Sequence, residues 1–405
     1  MLKLDFITKC NIYTALWCIY NLQGSILEQD ALIGKFIFVI IMLVSFNHIG
    51  RLVSSKEEFP AFVKVLFWYL AISTVYGIIR FFEGTFINNS GVEIDNIHYY
   101  KSILVATIPF FSFYYYSKKG YISRKWFTNW LLVFTGVALC QYYSITVRLL
   151  SVAFEAGSSQ TEFTNNAGYY FLAMIPVLML SQFNKTIKMV YLLGITLLIF
   201  MAMKRGAILI FLLSLMWYAA CQLKNLPTKK KILLFVTSFV FLIFVYEIVI
   251  SFAESDDFFA LRLEQTIAGE TSGRDSIYMT LVNYMFERAT LVEWLVGKGF
   301  DGTVKVADIG AHNDWLEFWV EMGLLGVALN IVYWYCYYKD WKELRRDRVL
   351  YFALGMLFVS GFLKTFFSIH IINVYFYENC VMAYCISQVV ADNNGESREK
   401  NINLR

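Results

Sequence analysis

The 405-residue sequence is poor in charge and in proline. Only 16% of its residues are Asp, Glu, Lys or Arg, and it has four prolines, whereas 58% of its residues are hydrophobic. Soluble domains average about 25% charged residues, so this composition argues against a soluble enzyme and against a disordered protein. A low proline content favours a chain made mostly of helices, because proline removes a helical hydrogen bond.

The sequence also lacks the residue patterns of two other protein classes. Its seven cysteines lie in apolar stretches, with neither the pattern of a disulfide framework nor the spacing of a zinc site. Its 35 Lys and Arg residues are scattered between apolar runs and form no basic face, which argues against nucleic acid as a partner. We therefore expect buried, unpaired cysteines and a charge distribution set by membrane topology.

What the sequence has in abundance is long apolar runs. The hydrocarbon core of a bilayer takes about 20 apolar residues per helix, and by this measure the chain contains about twelve candidate membrane spans. We predict an all-α polytopic membrane protein that forms a single integral membrane domain over residues 1–405, with a short cytoplasmic tail at 391–405. The candidate spans are 6–23, 32–49, 61–82, 102–117, 127–149, 168–183, 189–203, 207–223, 232–252, 315–338, 349–368 and 371–390.

The distribution of Lys and Arg between alternate loops predicts the orientation. If the amino terminus is cytoplasmic, most positive charges outside the spans fall on the cytoplasmic side, as the positive-inside rule requires. Both termini are therefore predicted to be cytoplasmic. The opposite side carries one long loop, residues 253–314, in which Ser272 and Asp275 suit a helix start and apolar residues follow at helical spacing. We expect an amphipathic helix there, on the outer face of the bundle.

Most of the external cations lie in two places, a short hairpin and the long loop. The positive-inside bias works against cations on this side, so their presence favours an anionic ligand. A guanidinium group stays charged and makes two parallel hydrogen bonds to phosphate oxygens, which suits Arg205 and Arg274 to a lipid diphosphate. The alternative is that the cations reach lipid phosphates or pair with Glu254, Asp256, Asp257, Glu264 and Glu270. The cations concerned are Lys204, Arg205, Arg262, Arg274, Arg288, Lys298 and Lys305.

One of the four histidines differs from the others in its surroundings. His312 lies in the run Gly310-Ala311-His312-Asn313-Asp314-Trp315-Leu316-Glu317, just before the tenth span. Asp314 and Glu317 have the spacing of a helix-capping pair. A neutral imidazole at the water boundary can take a proton from a hydroxyl near pH 7, so His312 is a candidate general base and also a candidate structural residue.

These motifs together resemble the signature region of the O-antigen polymerase and ligase superfamily. Lys204-Arg205-Gly206-Ala207 resembles the arginine hairpin of that family, and three further motifs follow it in the family's order. They are Ser272-Gly273-Arg274, then Gly297-Lys298-Gly299-Phe300, and then Ala311-His312-Asn313-Asp314-Trp315-Leu316-Glu317 with Glu321-Met322-Gly323-Leu324-Leu325-Gly326. The motif region covers residues 204–326, and the span count extends the likeness to most of the chain. Lys204 is a departure, because the family often has a small or polar residue there.

The resemblance implies a membrane glycosyltransferase of the GT-C type that needs no metal and no other cofactor. It implies undecaprenyl-diphosphate-linked glycan as substrate, the bacterial inner membrane as location, a periplasmic active site and a chain-length regulator as partner. Arg205 and Arg274 would bind diphosphate and His312 would act near the acceptor hydroxyl. Further candidate substrate contacts are Lys204, Arg288, Asn313 and Asp314. The motif form favours a polymerase, with the ligase that transfers glycan to lipid A core as the alternative.

Two other functions remain open from the sequence. Paired acids in external loops occur in metal-dependent GT-C transferases, and Glu28-Gln29-Asp30 and Glu93-Ile94-Asp95 have that spacing. About twelve spans also suit a transporter of lipid-linked glycans, although transporters place their sites at mid-membrane between repeats and we find no repeat here. Asn165 and Asn166 precede the sixth span, where they either contact sugar or form a solvated turn.

Overall fold

The computed structural model describes residues 6–26, 32–55, 57–88, 90–155, 165–223 and 273–393, together with positions 227, 228, 243, 247 and 264. The first half of this region contains eight helices and one short β-hairpin. The hairpin pairs β1 (Phe86–Ile87) with β2 (Glu93–Ile94) in antiparallel register. The helices are α1 (Phe6–Ile26), α2 (Leu32–Val53), α3 (Ala61–Glu83), α4 (His98–Lys118), α5 (Arg124–Glu155), α6 (Ala167–Leu180), α7 (Lys185–Met201) and α8 (Arg205–Leu223).

Three short helices precede the three long helices at the carboxyl-terminal end of the described region. The helices are α9 (Arg274–Asn283), α10 (Leu291–Val296), α11 (Gly302–Ala307), α12 (Asp314–Glu343), α13 (Arg348–Phe367) and α14 (Phe376–Asn393). A π-helical turn (Tyr284–Arg288) continues α9, and 3-10 turns (Leu344–Arg346, Ile371–Asn373) flank α13.

The helical and apolar character predicted from the sequence is confirmed. Six helices within the described residues are long and apolar enough to cross a membrane, namely α2, α3, α5, α8, α12 (with the turn that follows it) and α13. Eleven of the twelve candidate spans coincide with helices, and the span at 232–252 lies outside the described residues apart from two single positions. Large apolar side chains on the outside of the bundle, such as Phe36, Leu43 and Trp68, are at least half exposed, as a surface that faces lipid requires. The chain is therefore a helical membrane protein.

The centre of the bundle is formed by helices that carry more aromatic and polar residues. Helix α14 packs along α4 and also contacts α6, α12 and α13. Phe110, Phe111, Phe113 and Tyr114 of α4 are fully buried in this core. Helices α4 and α14 face other helices, and both are less apolar than α2 or α3.

The cysteines behave largely as expected, and two of the histidines are buried. All seven cysteines are free thiols and four are buried, although Cys140 is exposed on the outside of α5. His48 is buried, with its Nδ1 3.1 Å from the Ser112 hydroxyl, and its ring stacks on Tyr115. His370 is buried in the turn after α13.

Candidate functional site

The α7–α8 hairpin positions Lys204 and Arg205. Helix α7 ends at Met201 and α8 begins at Arg205, with Met203 in the left-handed region (φ 52°). Asn165 fixes this hairpin: its backbone N–H donates to the Ala202 carbonyl (3.0 Å), and its side-chain amide donates to the Tyr142 carbonyl (2.9 Å). Asn165 is buried, so it is a scaffold residue, whereas Asn166 is exposed in the turn before α6, as the solvated-turn alternative predicts.

Gly206 lets the hairpin approach two other helices closely. A Cβ added at Gly206 would lie 2.5 Å from the Tyr169 hydroxyl of α6 and 3.6 Å from the Cβ of Phe367, the last residue of α13. The neighbouring Gly168 packs against the Cβ atoms of Ala207 and Lys204 in the same way. The start of α8 therefore lies directly against the end of α13.

Arg274 reaches the same place from the opposite direction in sequence. It is the first residue of α9, after Gly273 in the left-handed conformation (φ 78°). Its Nη1 donates to the Phe367 carbonyl at 2.7 Å, a favourable position for a cation because the carboxyl end of a helix carries partial negative charge. Arg274 and the Lys204-Arg205-Gly206 hairpin thus converge on one residue of α13.

Tyr278 lies one helical turn after Arg274 and was not identified from the sequence. Burial raises the pKa of its phenol, and the positive charge of Arg274 and the side chain of Asn313 oppose that rise. The i, i+4 spacing from Arg274 is the sequence signal for this placement.

His312 lies close enough to Arg274 and Lys204 for their positive charges to act on its imidazole. Burial lowers the pKa of its imidazole, and the positive charges of Arg274 and Lys204 lower it further. Its backbone is in the left-handed region (φ 52°), which turns the chain sharply before α12. The structure therefore brings Lys204, Arg274 and His312 together, with a neutral imidazole favoured.

Asn313 and Asp314 have different tasks. The Asn313 Oδ1 accepts hydrogen bonds from the backbone N–H groups of Trp315 (3.0 Å) and Leu316 (3.2 Å), so Asn313 caps α12. Asp314 is 1% exposed, and its carboxylate accepts the backbone N–H groups of His370 (2.9 Å) and Ile371 (3.2 Å). Asp314 thus binds the turn between α13 and α14, and its carboxylate is already occupied.

The predicted capping pair of Asp314 and Glu317 is wrong, because Glu317 binds other parts of the chain. Its Oε2 accepts the backbone N–H of Ala311 at 2.7 Å and its Oε1 accepts the Thr303 hydroxyl at 2.9 Å. Both acids are buried: Asp314 holds the turn between α13 and α14, Glu317 holds the loop before α12, and Asn313 caps the helix. Together they fix the His312 backbone between two anchored neighbours.

The two glycine motifs pack against each other. Helix α12 is kinked at Gly323 (φ 61°), and the carbonyls of Val320 and Glu321 next to the kink accept N–H groups from Lys298 (2.8 Å) and Gly299 (2.9 Å). A Cβ at Gly323 would lie 2.6 Å from the Gly297 nitrogen. Both motifs therefore allow a close approach of backbones that secures the loop before α12.

Several other cations that the sequence predicts to be external are paired in the structure. Lys298 Nζ lies 3.3 Å from Glu293 and 2.9 Å from the Tyr284 hydroxyl, and Lys305 Nζ lies 2.6 Å from Glu83. These partners are not the acids that the sequence suggested, and four of those five acids lie outside the described residues. Arg262 and the acidic pair Glu28 and Asp30 also lie outside them.

Arg288 is exposed at the far end of the helical run that begins at Arg274. Arg288 follows Arg274 by fourteen residues, which at about 1.5 Å each places their backbones roughly 20 Å apart. The structure therefore does not bring Arg288 to the same ligand as Arg274.

The convergence point also collects helix amino termini. Helix α8 begins at Arg205 and α9 begins at Arg274, so each adds the backbone N–H groups of its first turn and the positive end of its dipole to the cationic side chains. This combination is typical of an anion-binding site. We call Lys204, Arg205, Arg274 and His312 the cationic site, and the end of the bundle that carries it the site end. No family model matches the chain, and a search of curated proteins finds no match.

Proposed function

We propose that the protein is a membrane glycosyltransferase that polymerises lipid-diphosphate-linked oligosaccharides, of the O-antigen or capsular polymerase type and of GT-C architecture. The observation that carries the proposal is the convergence of Lys204, Arg274 and His312 at one end of an apolar helical bundle, beside the start of α8 at Arg205. Two guanidinium groups and two helix amino termini suit a diphosphate. The resemblance of the motifs supplies the reaction class.

In the proposed reaction, the growing glycan on its lipid diphosphate is the donor. The acceptor is a hydroxyl at the non-reducing end of a fresh lipid-linked repeat unit. His312 removes the hydroxyl proton as the acceptor oxygen attacks the anomeric carbon, and the bond to the diphosphate breaks with inversion. Arg205 and Arg274 stabilise the negative charge that develops on the departing diphosphate. A lowered pKa suits His312 to the role of base because the neutral form prevails at pH 7.

The proposal includes a location. The cationic site faces the periplasm, both termini are cytoplasmic, and the protein resides in the bacterial inner membrane with undecaprenyl-diphosphate-linked oligosaccharides as substrates. A chain-length regulator is the proposed protein partner. The energy comes from the lipid diphosphate bond, so no further cofactor is required.

The test is to incubate the purified protein in liposomes with synthetic undecaprenyl-diphosphate-linked repeat units, with and without lipid A core, and to separate the products by size. A ladder of products supports the polymerase. Transfer only onto lipid A core makes the protein a ligase, and movement of substrate across the bilayer without bond formation overturns the enzyme proposal.

The matched variants are Arg274→Gln and Arg288→Gln, which remove one positive charge each from the same helical run. Loss of a group that stabilises transition-state charge costs about 100-fold to 1,000-fold in rate, so Arg274→Gln should nearly abolish the ladder. Arg288→Gln should leave it intact, because Arg288 is remote from the cationic site. Equal rates for the two variants, with equal thermal stability, contradict the assignment of Arg274.

A further inference from the structure

A cavity of about 640 Å³ opens between α1, α2, α3 and α4 at the site end of the bundle. Its size falls within the range of roughly 300–1,000 Å³ that is usual for ligand pockets. It is distinct from the cationic site, which is built from α6, α8, α9, α12 and α13. We call it the α1–α4 groove. Its walls are mostly apolar and include Phe38, Ile78 and Phe82.

The polar residues of the groove share one depth. Gln23 lies three residues before the end of α1, and Lys35 and Lys101 lie three residues after the starts of α2 and α4. At about 1.5 Å per residue, all three are about one turn inside the same end of the bundle. The contacts of Tyr99 with Phe300 (ring centroids 4.8 Å) and of Arg80 with Asp301 (2.7 Å) place this end beside the loop that leads to His312.

The groove is polar at its mouth and apolar below. Phe38 and Leu104 each lie a further turn towards the middle of the bundle from Lys35 and Lys101. Two cations at head-group depth above an apolar floor match the layout of an anionic lipid molecule, with its phosphate at the lysines and a chain in the groove.

Gln23 adds a requirement for a hydrogen-bond donor. Its side chain is 9% exposed, and its Oε1 accepts no hydrogen bond from the residues that the structure describes. A buried carbonyl without a donor is costly, so a ligand that supplies one is favoured. A lipid head that carries both a phosphate and a hydroxyl group complements the charge of the two lysines and supplies the donor that Gln23 lacks among the described residues.

The walls of the groove are shaped by close glycine contacts. The Gln23 amide packs directly on Gly34, and a Cβ at Gly77 would lie 2.6 Å from the Tyr100 ring. The Tyr100 hydroxyl is held 2.9 Å from the Thr74 hydroxyl. The side chains around the groove are therefore positioned by packing.

We propose that the α1–α4 groove binds one anionic phospholipid of the surrounding bilayer whose head group carries a hydroxyl, as in phosphatidylglycerol. Two cations above mostly apolar walls suit an acyl chain with its phosphate, and the Gln23 carbonyl, to which no described residue donates, favours a head group that carries a hydroxyl. The site does not depend on the proposed enzymatic function, because it rests on residues that have no part in the cationic site.

The first experiment measures lipid affinity with the full chain. Purified protein in detergent micelles is titrated with dioleoyl phosphatidylglycerol, and the affinity is taken from the rise in Tm. Each lysine near a phosphate contributes roughly fivefold to affinity, so the double variant Lys35→Gln, Lys101→Gln should bind roughly 25-fold more weakly. Lys64→Gln is the matched control, because Lys64 is exposed near the opposite end of α3. It should bind as the unmodified chain does.

Three results would overturn the site: unchanged affinity in the double variant, an equal Tm rise with phosphatidylcholine, or a rise with undecaprenyl phosphate and none with phosphatidylglycerol. The second experiment tests Gln23 and does not require the double variant to fold. Phosphatidylmethanol has the same charge as phosphatidylglycerol but no head-group hydroxyl, so it should bind roughly fivefold more weakly. Gln23→Met should bind the two lipids equally, and a preference that persists in this variant contradicts the role of Gln23.

Discussion

His312 combines an uncommon backbone conformation with a place beside two cations. Its φ of 52° lies in the left-handed region, which Asn, Asp and His adopt more readily than other non-glycine residues. This conformation limits the choice of test substitution. A residue that rarely adopts positive φ would disturb the start of α12, and a loss of activity could then be structural rather than chemical.

We therefore predict the effect of His312→Asn, which keeps a residue that tolerates this conformation and removes the imidazole. If His312 is the general base, the polymerisation rate should fall by about 100-fold to 10,000-fold while the Tm stays the same. The measurement is the rate of product-ladder formation together with thermal unfolding. A variant with normal rate would make His312 a structural residue only.

The pH dependence of the rate provides a second test of the same residue. Because the positive charge of Lys204 helps to lower the pKa of His312, Lys204→Gln should raise that pKa. A base with a higher pKa becomes protonated at higher pH, so the acid limb of the rate profile should move to higher pH. Arg288→Gln should leave the limb in place. An unmoved limb in Lys204→Gln would show that another group governs it.

The sequence predicted the positions of the residues in the cationic site better than it predicted the partners of the acids around it. The positions of Lys204, Arg274 and His312 relative to the spans are local information, and the structure brings these three together. The destinations of the Asp314 and Glu317 carboxylates are not local. Their partners at His370 and Thr303 lie 56 and 14 residues away, so the sequence indicated a capping pair where the chain makes tertiary contacts.

At the scale of elements, the kink of α12 provides the carbonyl groups that bind the Gly297-Lys298-Gly299 motif. Long apolar periodicity predicted the helix but not its kink, because the carbonyls freed near Gly323 are satisfied by a distant loop. The motif Gly297-Lys298-Gly299 therefore has a structural explanation, the close approach of two backbones, that the spacing of glycines alone did not reveal.

This packing predicts that Gly297→Ala is more harmful than a change at a glycine of similar conformation. Gly297 and Gly91 have φ values of 76° and 80°, but an added Cβ meets the backbone of Glu321 and Met322 at position 297 and nothing within 4 Å at position 91. Both substitutions incur a backbone cost of about 1–2 kcal/mol. The collision should add about 1–3 kcal/mol for Gly297→Ala. Thermal unfolding of the two variants measures the difference, and equal Tm values would contradict the packing.

At the scale of the whole molecule, one buried ion pair joins the amino-terminal helices to the loop before α12. Arg80 Nε lies 2.7 Å from Asp301 Oδ2, with both side chains almost fully buried. Arg80 also donates to the Gly84 carbonyl, and its guanidinium carbon lies 5.0 Å from the centre of the Phe86 ring. The two residues are 221 positions apart, so no pattern in the sequence identified the pair.

The Arg80–Asp301 pair predicts how substitutions of its two members change the free energy of unfolding. Asp301→Asn retains a residue that tolerates the left-handed backbone at this position (φ 60°), but it leaves the buried Arg80 charge with only a long contact to the partly exposed Glu83 (3.9 Å). This should lower the free energy of unfolding by about 3–5 kcal/mol.

Adding Arg80→Met to Asp301→Asn removes the poorly compensated buried charge and should recover half or more of the lost stability, because most of the penalty comes from burying that charge rather than from a missing attraction. Arg124→Gln is the control, since its pair with Asp347 (2.9 Å) is about one third exposed and such pairs contribute at most about 1 kcal/mol. The measurement is thermal unfolding of all variants in the same micelles. A double variant less stable than Asp301→Asn alone would mean that Arg80 stabilises the bundle through Gly84 and Phe86 and not through Asp301, and the loop before α12 would then be held by its glycine contacts with the kinked helix.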